Sequence, residues 1–164
     1  MFGVIAGYPD NIHSILYSVF FWLLLALAVS DLLWFRLPDF LNASLALTAF
    51  ALAALPGGNG WEAVWGAIIG FGAFFAIRFF YQILRGREGL GFGDVKLMIG
   101  LGAFIGPVML SWLIFLAASA TLAIALLRQA NRNGGLTGST QMPFGAALCA
   151  AAFAIWVSQL SSFN

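Results

Sequence analysis

Two aspartates stand where a mostly apolar chain holds a charge at greatest cost. Asp94 follows Gly89-Leu90-Gly91-Phe92-Gly93, and Asp31 closes a separate apolar run. A carboxylate at the centre of a membrane helix costs about 2.5–3.5 kcal/mol on insertion scales. Taken singly, each has an ordinary reading: Asp94 caps the helix after it, and Asp31 ends a helix at the interface. Taken together they have a chemistry. Two carboxylates at matched depth in a wet, low-dielectric pocket cannot both ionise cheaply, so the pair shares one proton. Such a pair is a general acid and a general base at once. One takes a proton from a water that attacks a peptide carbonyl; the other protonates the oxygen and then helps the amine leave. The glycines before Asp94 imply backbone at φ > 0 or close approach of another chain. They would let an extended substrate lie against the site through main-chain hydrogen bonds.

The elements that must bring these residues together read as six apolar segments. Segment one covers residues 12–33 and ends on Ser30 and Asp31; Trp34-Phe35-Arg36-Leu37-Pro38-Asp39 interrupts it, with Pro38 biasing Leu37 away from helix. Segment two covers 40–55 and stops at Pro56-Gly57-Gly58-Asn59-Gly60, a strong turn signal. Segment three covers 61–84, segment four 94–105, segment five starts at Gly106-Pro107 and reaches 127, and segment six covers 142–160. At 1.5 Å per residue, segment four is only about 18 Å long against a hydrocarbon core of about 30 Å. Either the membrane is thinned there or the glycine stretch dips below the interface. Irregular backbone at that depth is tolerated where it is buried in protein or lines a wet cavity. Gly66 and Gly70 in segment three, and Ala117 and Thr121 in segment five, have the small-xxx-small spacing of closely packed membrane helices.

Charge fixes the orientation. The seven basic residues (Arg36, Arg78, Arg85, Arg87, Lys96, Arg128 and Arg132) fall on or toward one side, and the other carries Asp10 and Glu62. Positive charge is retained in the cytoplasm, which predicts an all-α integral membrane protein of six transmembrane helices with both termini periplasmic. Trp61 and Trp65 would lie at the outer interface and Trp34 at the inner one. Asp31 and Asp94 then share a depth and a side.

Composition excludes other classes. Of 164 residues, 62% are hydrophobic and 8% charged, whereas globular chains carry about 25% charged residues. The chain reads as a single transmembrane domain, 1–164, in a lipid bilayer. A net charge of +1 without a basic cluster argues against nucleic acid. One cysteine, Cys149, makes no internal disulfide and reads as a small core hydrophobe. With one histidine besides, no zinc site is expected, nor any other metal or cofactor, and a chelator should leave activity intact. No Lys or Arg precedes Asn11, so a cleavable signal peptide is not expected.

Gly91-Phe92-Gly93-Asp94-Val95-Lys96-Leu97 with Gly100-Leu101-Gly102-Ala103-Phe104-Ile105-Gly106 resembles the GxGD signature of bacterial type IV prepilin peptidases. Asp31 followed by Pro38-Asp39 is similar to that family's first catalytic region, and Met142-Pro143-Phe144-Gly145 resembles a third marker before the last helix. The resemblance covers about residues 25–160. It implies an aspartic endopeptidase of the bacterial inner membrane, with Asp31 and Asp94 as its catalytic pair and Gly91, Gly93, Asp39 and Lys96 in substrate-binding or supporting roles. Its substrates would be prepilins or pseudopilins of type IV pilus or protein secretion systems. They would be cut on the cytoplasmic side between a short basic leader ending in Gly and the hydrophobic helix after it. Larger members add a cytosolic region with a Cys tetrad and methylate the new N-terminus; this chain looks like the peptidase alone, as in tight-adherence (Flp) systems, although those small enzymes tend to have Pro-Asn where Pro38-Asp39 stands. The Pro-Ala-Leu marker of the presenilin relatives is absent.

The remaining polar residues have plain alternatives. Asp39 either caps segment two or attracts a basic leader. Lys96, two residues past Asp94, is on a different helix face and should not pair with it; it snorkels to the interface or supports the site. Arg78 snorkels or pairs with a carboxylate, His13 is an interfacial group far from the pair, and Glu88 belongs to a solvated loop. An ion or proton transporter using the same carboxylates is the alternative function, because intramembrane acids also mark ion paths. The outer halves of the segments lack the further charges such a path needs.

Overall fold

A computed structural model describes residues 11–85, 91–130 and 144–161. Among these the structure is all helical, in the order α1 (Asn11–Trp34), α2 (Asp39–Ala54), α3 (Gly60–Arg85), α4 (Phe92–Ile105), α5 (Leu110–Ala130) and α6 (Phe144–Ser161). Three helices are long and apolar enough to cross a bilayer, at Ile12–Trp34, Gly60–Leu84 and Leu110–Leu127. Asp39–Ala54 and Phe144–Gln159 are apolar but shorter, and α4, with 14 residues, is shorter still. Large apolar side chains such as Trp22, Leu47, Trp61 and Phe115 are exposed around the bundle, a surface too apolar to face water alone.

The helix ends obey local chemistry. After α1 the chain passes through Phe35 at φ 51°, a left-handed conformation that a bulky residue rarely adopts. The Ser30 hydroxyl donates to the Arg36 carbonyl at 2.8 Å and holds this turn against the end of α1. Pro38 is the N-cap of α2, so Asp39 is its first residue and not its cap, contrary to one of the two sequence readings. α4 begins at Phe92 with Gly91 as N-cap, so Asp94 lies within its first turn and caps nothing. Gly106, at φ 79°, ends α4 with its N–H on the Gly102 carbonyl at 2.9 Å. Residues 107–109 form a turn, and α5 therefore starts at Leu110 and not at Pro107.

α4 is the helix the others surround. It packs against α3 and α2 and more lightly against α6, while α1 bridges α2 and α6 and α5 lies on α6. Glycines make the close approaches possible. Gly66 of α3 and Gly102 of α4 meet backbone to backbone, a methyl on Gly70 would stand 2.9 Å from the Met98 carbonyl oxygen, and one on Gly100 would stand 3.1 Å from the Ala46 nitrogen. The spacing of Gly66 and Gly70 thus marks the α3–α4 contact. Ala117 is fully buried, and the Thr121 hydroxyl turns back to its carbonyl at 2.8 Å. At the far end of α4, Phe104 stacks on Phe20 of α1 with centroids 4.1 Å apart, and Phe21 meets Trp156 of α6 at 4.3 Å. This aromatic cluster ties together the three helices that carry the polar groups at the other end.

Candidate active site

Asp31 lies one turn from the end of α1, and Asp94 in the first turn of α4. Both are buried, at 6% and 7% exposure. They meet across the start of α6. A methyl group on Gly145 would stand 2.9 Å from Asp94 Oδ1 and 3.1 Å from Asp31 Oδ2, so one methyl-sized volume touches both carboxylates. The chain brings together two acids separated by two intervening helices, with a glycine between them.

Their surroundings differ. Asp31 Oδ2 accepts a hydrogen bond from the Ala146 N–H at 2.7 Å. That amide is among the first of α6, whose N–H groups have no partner within the helix and favour an anion. Asp94 has Gly91 beside it, where a methyl would lie 3.4 Å from Oδ2, an ordinary contact. Leu37 packs beside the same glycines: its Cδ1 would be 2.9 Å from a methyl on Gly145, and its Cβ 2.8 Å from one on Gly93. Neither Gly91 nor Gly93 has a positive φ; among the described glycines Gly57 and Gly106 do. Gly93 serves instead the second purpose that its type suggests, close approach, and what approaches is Leu37. Gly89, Arg87, Glu88, Arg132, Met142 and Pro143 lie outside the described residues.

Asp39 and Lys96 form a separate group at the rim. Lys96 Nζ is 2.7 Å from Asp39 Oδ2, with Asp39 73% exposed. The ammonium also lies 5.0 Å above the Phe92 ring, and the Arg78 guanidinium 5.4 Å from the same centroid. Lys96 is thus paired, but not with Asp94, as its helix position requires. Among the described residues no three His, Cys, Asp or Glu side chains converge as a metal site would need. Cys149 is fully buried as a core residue.

Ser30, Leu37, Asn42, Gly145 and Ala146 were not among the sequence candidates. Gly145 stood within a quoted marker, but nothing in its type says that it separates the acids. Asn42 had a legible signal, an amide within an apolar segment; its side chain is 3% exposed and donates to the Gly93 carbonyl at 3.3 Å.

A pair of buried carboxylates, one held by a backbone amide and one beside a glycine, can pass a proton to and from a bound water and a carbonyl. Comparison with known proteins gives the family the chain resembles. The model of the type IV leader peptidase family matches residues 18–127, a range that includes both aspartates. The leader peptidase HopD of Escherichia coli is 44% identical over 101 residues, covering 61% of this chain and 64% of that protein. A prepilin leader peptidase/N-methyltransferase of Stutzerimonas stutzeri is 34% identical over 147 residues, covering 85% of this chain and 47% of its own length. One from Dichelobacter nodosus is 36% identical over 155 residues, covering 93% and 51%. The chain therefore spans about half to two thirds of the length of these relatives. No solved structure matches it.

Proposed function

The chain belongs to the type IV leader peptidase family, and on that premise we propose that it is a membrane-embedded aspartic endopeptidase that removes the basic leader of prepilins or pseudopilins, cutting after glycine. The observation that carries this reading is the convergence of Asp31 and Asp94 on Gly145. The Ala146 N–H favours a carboxylate at Asp31, which takes the proton from the attacking water. Asp94 supplies the hydrogen that the carbonyl oxygen receives as the tetrahedral intermediate forms. The proton taken by Asp31 then goes to the departing amine as the C–N bond breaks, Asp94 takes one back from a hydroxyl of the intermediate as the carboxylic acid forms, and the pair returns to its starting state. The lack of a side chain at Gly91 would let an extended backbone lie beside Asp94, and Leu37, which packs against Gly93 and Gly145, would border it.

The six helices would cross the inner membrane with both termini in the periplasm, so that the acids open to the cytoplasm, where leaders are presented. Short α4 supports this placement, since about 21 Å of helix leaves its first turn below the surface of a 30 Å core. Transport of an ion through the same acids gains no support from the relatives, which are named as peptidases.

Co-expression with a prepilin in a host without its own leader peptidase tests the proposal. The wild-type chain should convert the precursor to the shorter form. Asp31→Asn and Asp94→Asn should each abolish conversion while membrane abundance stays unchanged. Normal processing by either variant would overturn the assignment.

A further inference from the structure

Asn42 does something that packing does not ask of it. It lies on α2, one turn from the Pro38 cap, and is 97% buried, at a position where a leucine, with the same number of side-chain heavy atoms, would carry no polar group to satisfy. Its Nδ2 donates to the Gly93 carbonyl at 3.3 Å, while its Oδ1 is buried and has no hydrogen-bond partner among the described residues. An unsatisfied buried acceptor is destabilising, and native structures hold few of them. Local violations of this kind concentrate where function needs a group held in place. The carbonyl that Asn42 holds belongs to the residue directly before Asp94, in the first turn of α4, so the amide bonds a carbonyl that also has its place in the helix's own ladder.

We infer that Asn42 is a positioning residue for the reaction proposed above: its amide ties α2 to the Gly93 carbonyl and fixes the turn from which Asp94 reaches toward Asp31. It touches neither acid. A turn free to rotate would move the Asp94 oxygens relative to Asp31 without unfolding the bundle, and small misplacements of a reacting group are costly.

The inference rests on Asp94 being catalytic, so purified Asp94→Asn is run beside the Asn42 variants on one prepilin substrate. Its retention of activity would sink the functional reading, whatever Asn42 does. Given an inactive Asp94→Asn, the Asn42→Leu variant should lose about tenfold or more in kcat with KM within about twofold. Its melting temperature in detergent should be no lower than wild type, because the orphan acceptor is gone. Asn42→Gln, which keeps an amide able to reach the carbonyl, should recover at least part of the loss. An Asn42→Leu enzyme with wild-type kcat would overturn the inference. So would a loss of activity that tracks a loss of stability, with Gln no better than Leu. If Asn42→Leu fails to accumulate, Asn42→Gln against Asn42→Ala decides it, read per folded molecule: equal kcat values overturn the positioning role, and a higher value for Gln supports it.

Discussion

The Asp31 carboxylate is held by the Ala146 backbone N–H at 2.7 Å, so the last turn of α1 and the first turn of α6 are joined through one oxygen of the site. This bond can be removed with little disturbance to the helix. Ala146 is in the first turn of α6, where proline is tolerated because the missing N–H has no partner within the helix. Ala146→Pro should therefore leave α6 in place and take away the donor. A hydrogen bond to a charged group is worth about 1.5–3 kcal/mol. We expect kcat to fall by about ten- to a hundredfold with the enzyme still present in the membrane, measured on a prepilin substrate in detergent.

Gly145 borders both acids, and a side chain there would press on each of them. The methyl of Gly145→Ala would press on Asp94 Oδ1 at 2.9 Å, Asp31 Oδ2 at 3.1 Å and Leu37 Cδ1 at 2.9 Å. Of these, the leucine is the flexible neighbour. Activity should drop at least about a hundredfold in Gly145→Ala, by analogy with other displacements of reacting groups. Truncating Leu37→Ala in the same chain should restore part of it, because the pressure on one side is relieved. Assay of the single and double variants checks both statements; a double variant no better than the single one would show that the carboxylates, not Leu37, bear the clash.

Asp39 and Lys96 make a pair at the surface, with Asp39 73% and Lys96 32% exposed. Exposed pairs contribute about 0–1 kcal/mol, so neither Asp39→Asn nor Lys96→Ala should change thermal stability measurably. Their effect should be on substrate instead. If Asp39 attracts the basic leader, Asp39→Asn raises KM a few-fold for a leader with several Lys or Arg and leaves a neutral leader unaffected. Lys96→Ala, which frees the carboxylate, lowers it. Both effects should shrink near 1 M salt, where the screening length is about 3 Å. A KM that ignores leader charge would remove Asp39 from substrate recognition.

Features set by solvent and by local backbone chemistry were legible in the residues themselves. The apolar runs, the Pro56-Gly57 turn and the break at Pro38 located the helices to within a few residues, since each depends on local backbone preference. The two acids stood out because charge in lipid is costly. The meeting of those acids at Gly145 was not legible, because it depends on α6 returning beside α1 and α4, a contact between residues 115 apart in the case of Asp31 and Ala146. The use of Gly93 was half legible: its type announced close approach or positive φ, and the partner, Leu37, could be found only from the packing. Asp39 read equally well as a cap or as an exposed acid, and Pro38, which has no side-chain donor or acceptor to offer, took the cap.

The α3–α4 contact supports the site from behind, and glycines along α3 should respond to substitution according to what faces them. Gly66 meets the Gly102 backbone, while Gly72, less than two turns further on, has nothing within 4 Å of where a methyl would stand. A leucine at Gly66 must push the helices apart, and overpacking of this sort costs about 1–3 kcal/mol or more. Gly72→Ala fills no occupied space and replaces the poorer helix former, a gain of up to about 1 kcal/mol. Melting in detergent should therefore fall for Gly66→Leu and hold or rise for Gly72→Ala. Because α4 carries Asp94 at its other end, Gly66→Leu should also reduce cleavage of prepilin per folded molecule, whereas Gly72→Ala should cleave at the wild-type rate. Equal behaviour of the two variants would mean that α3 and α4 do not approach through Gly66, and the position of Asp94 would then need a different support.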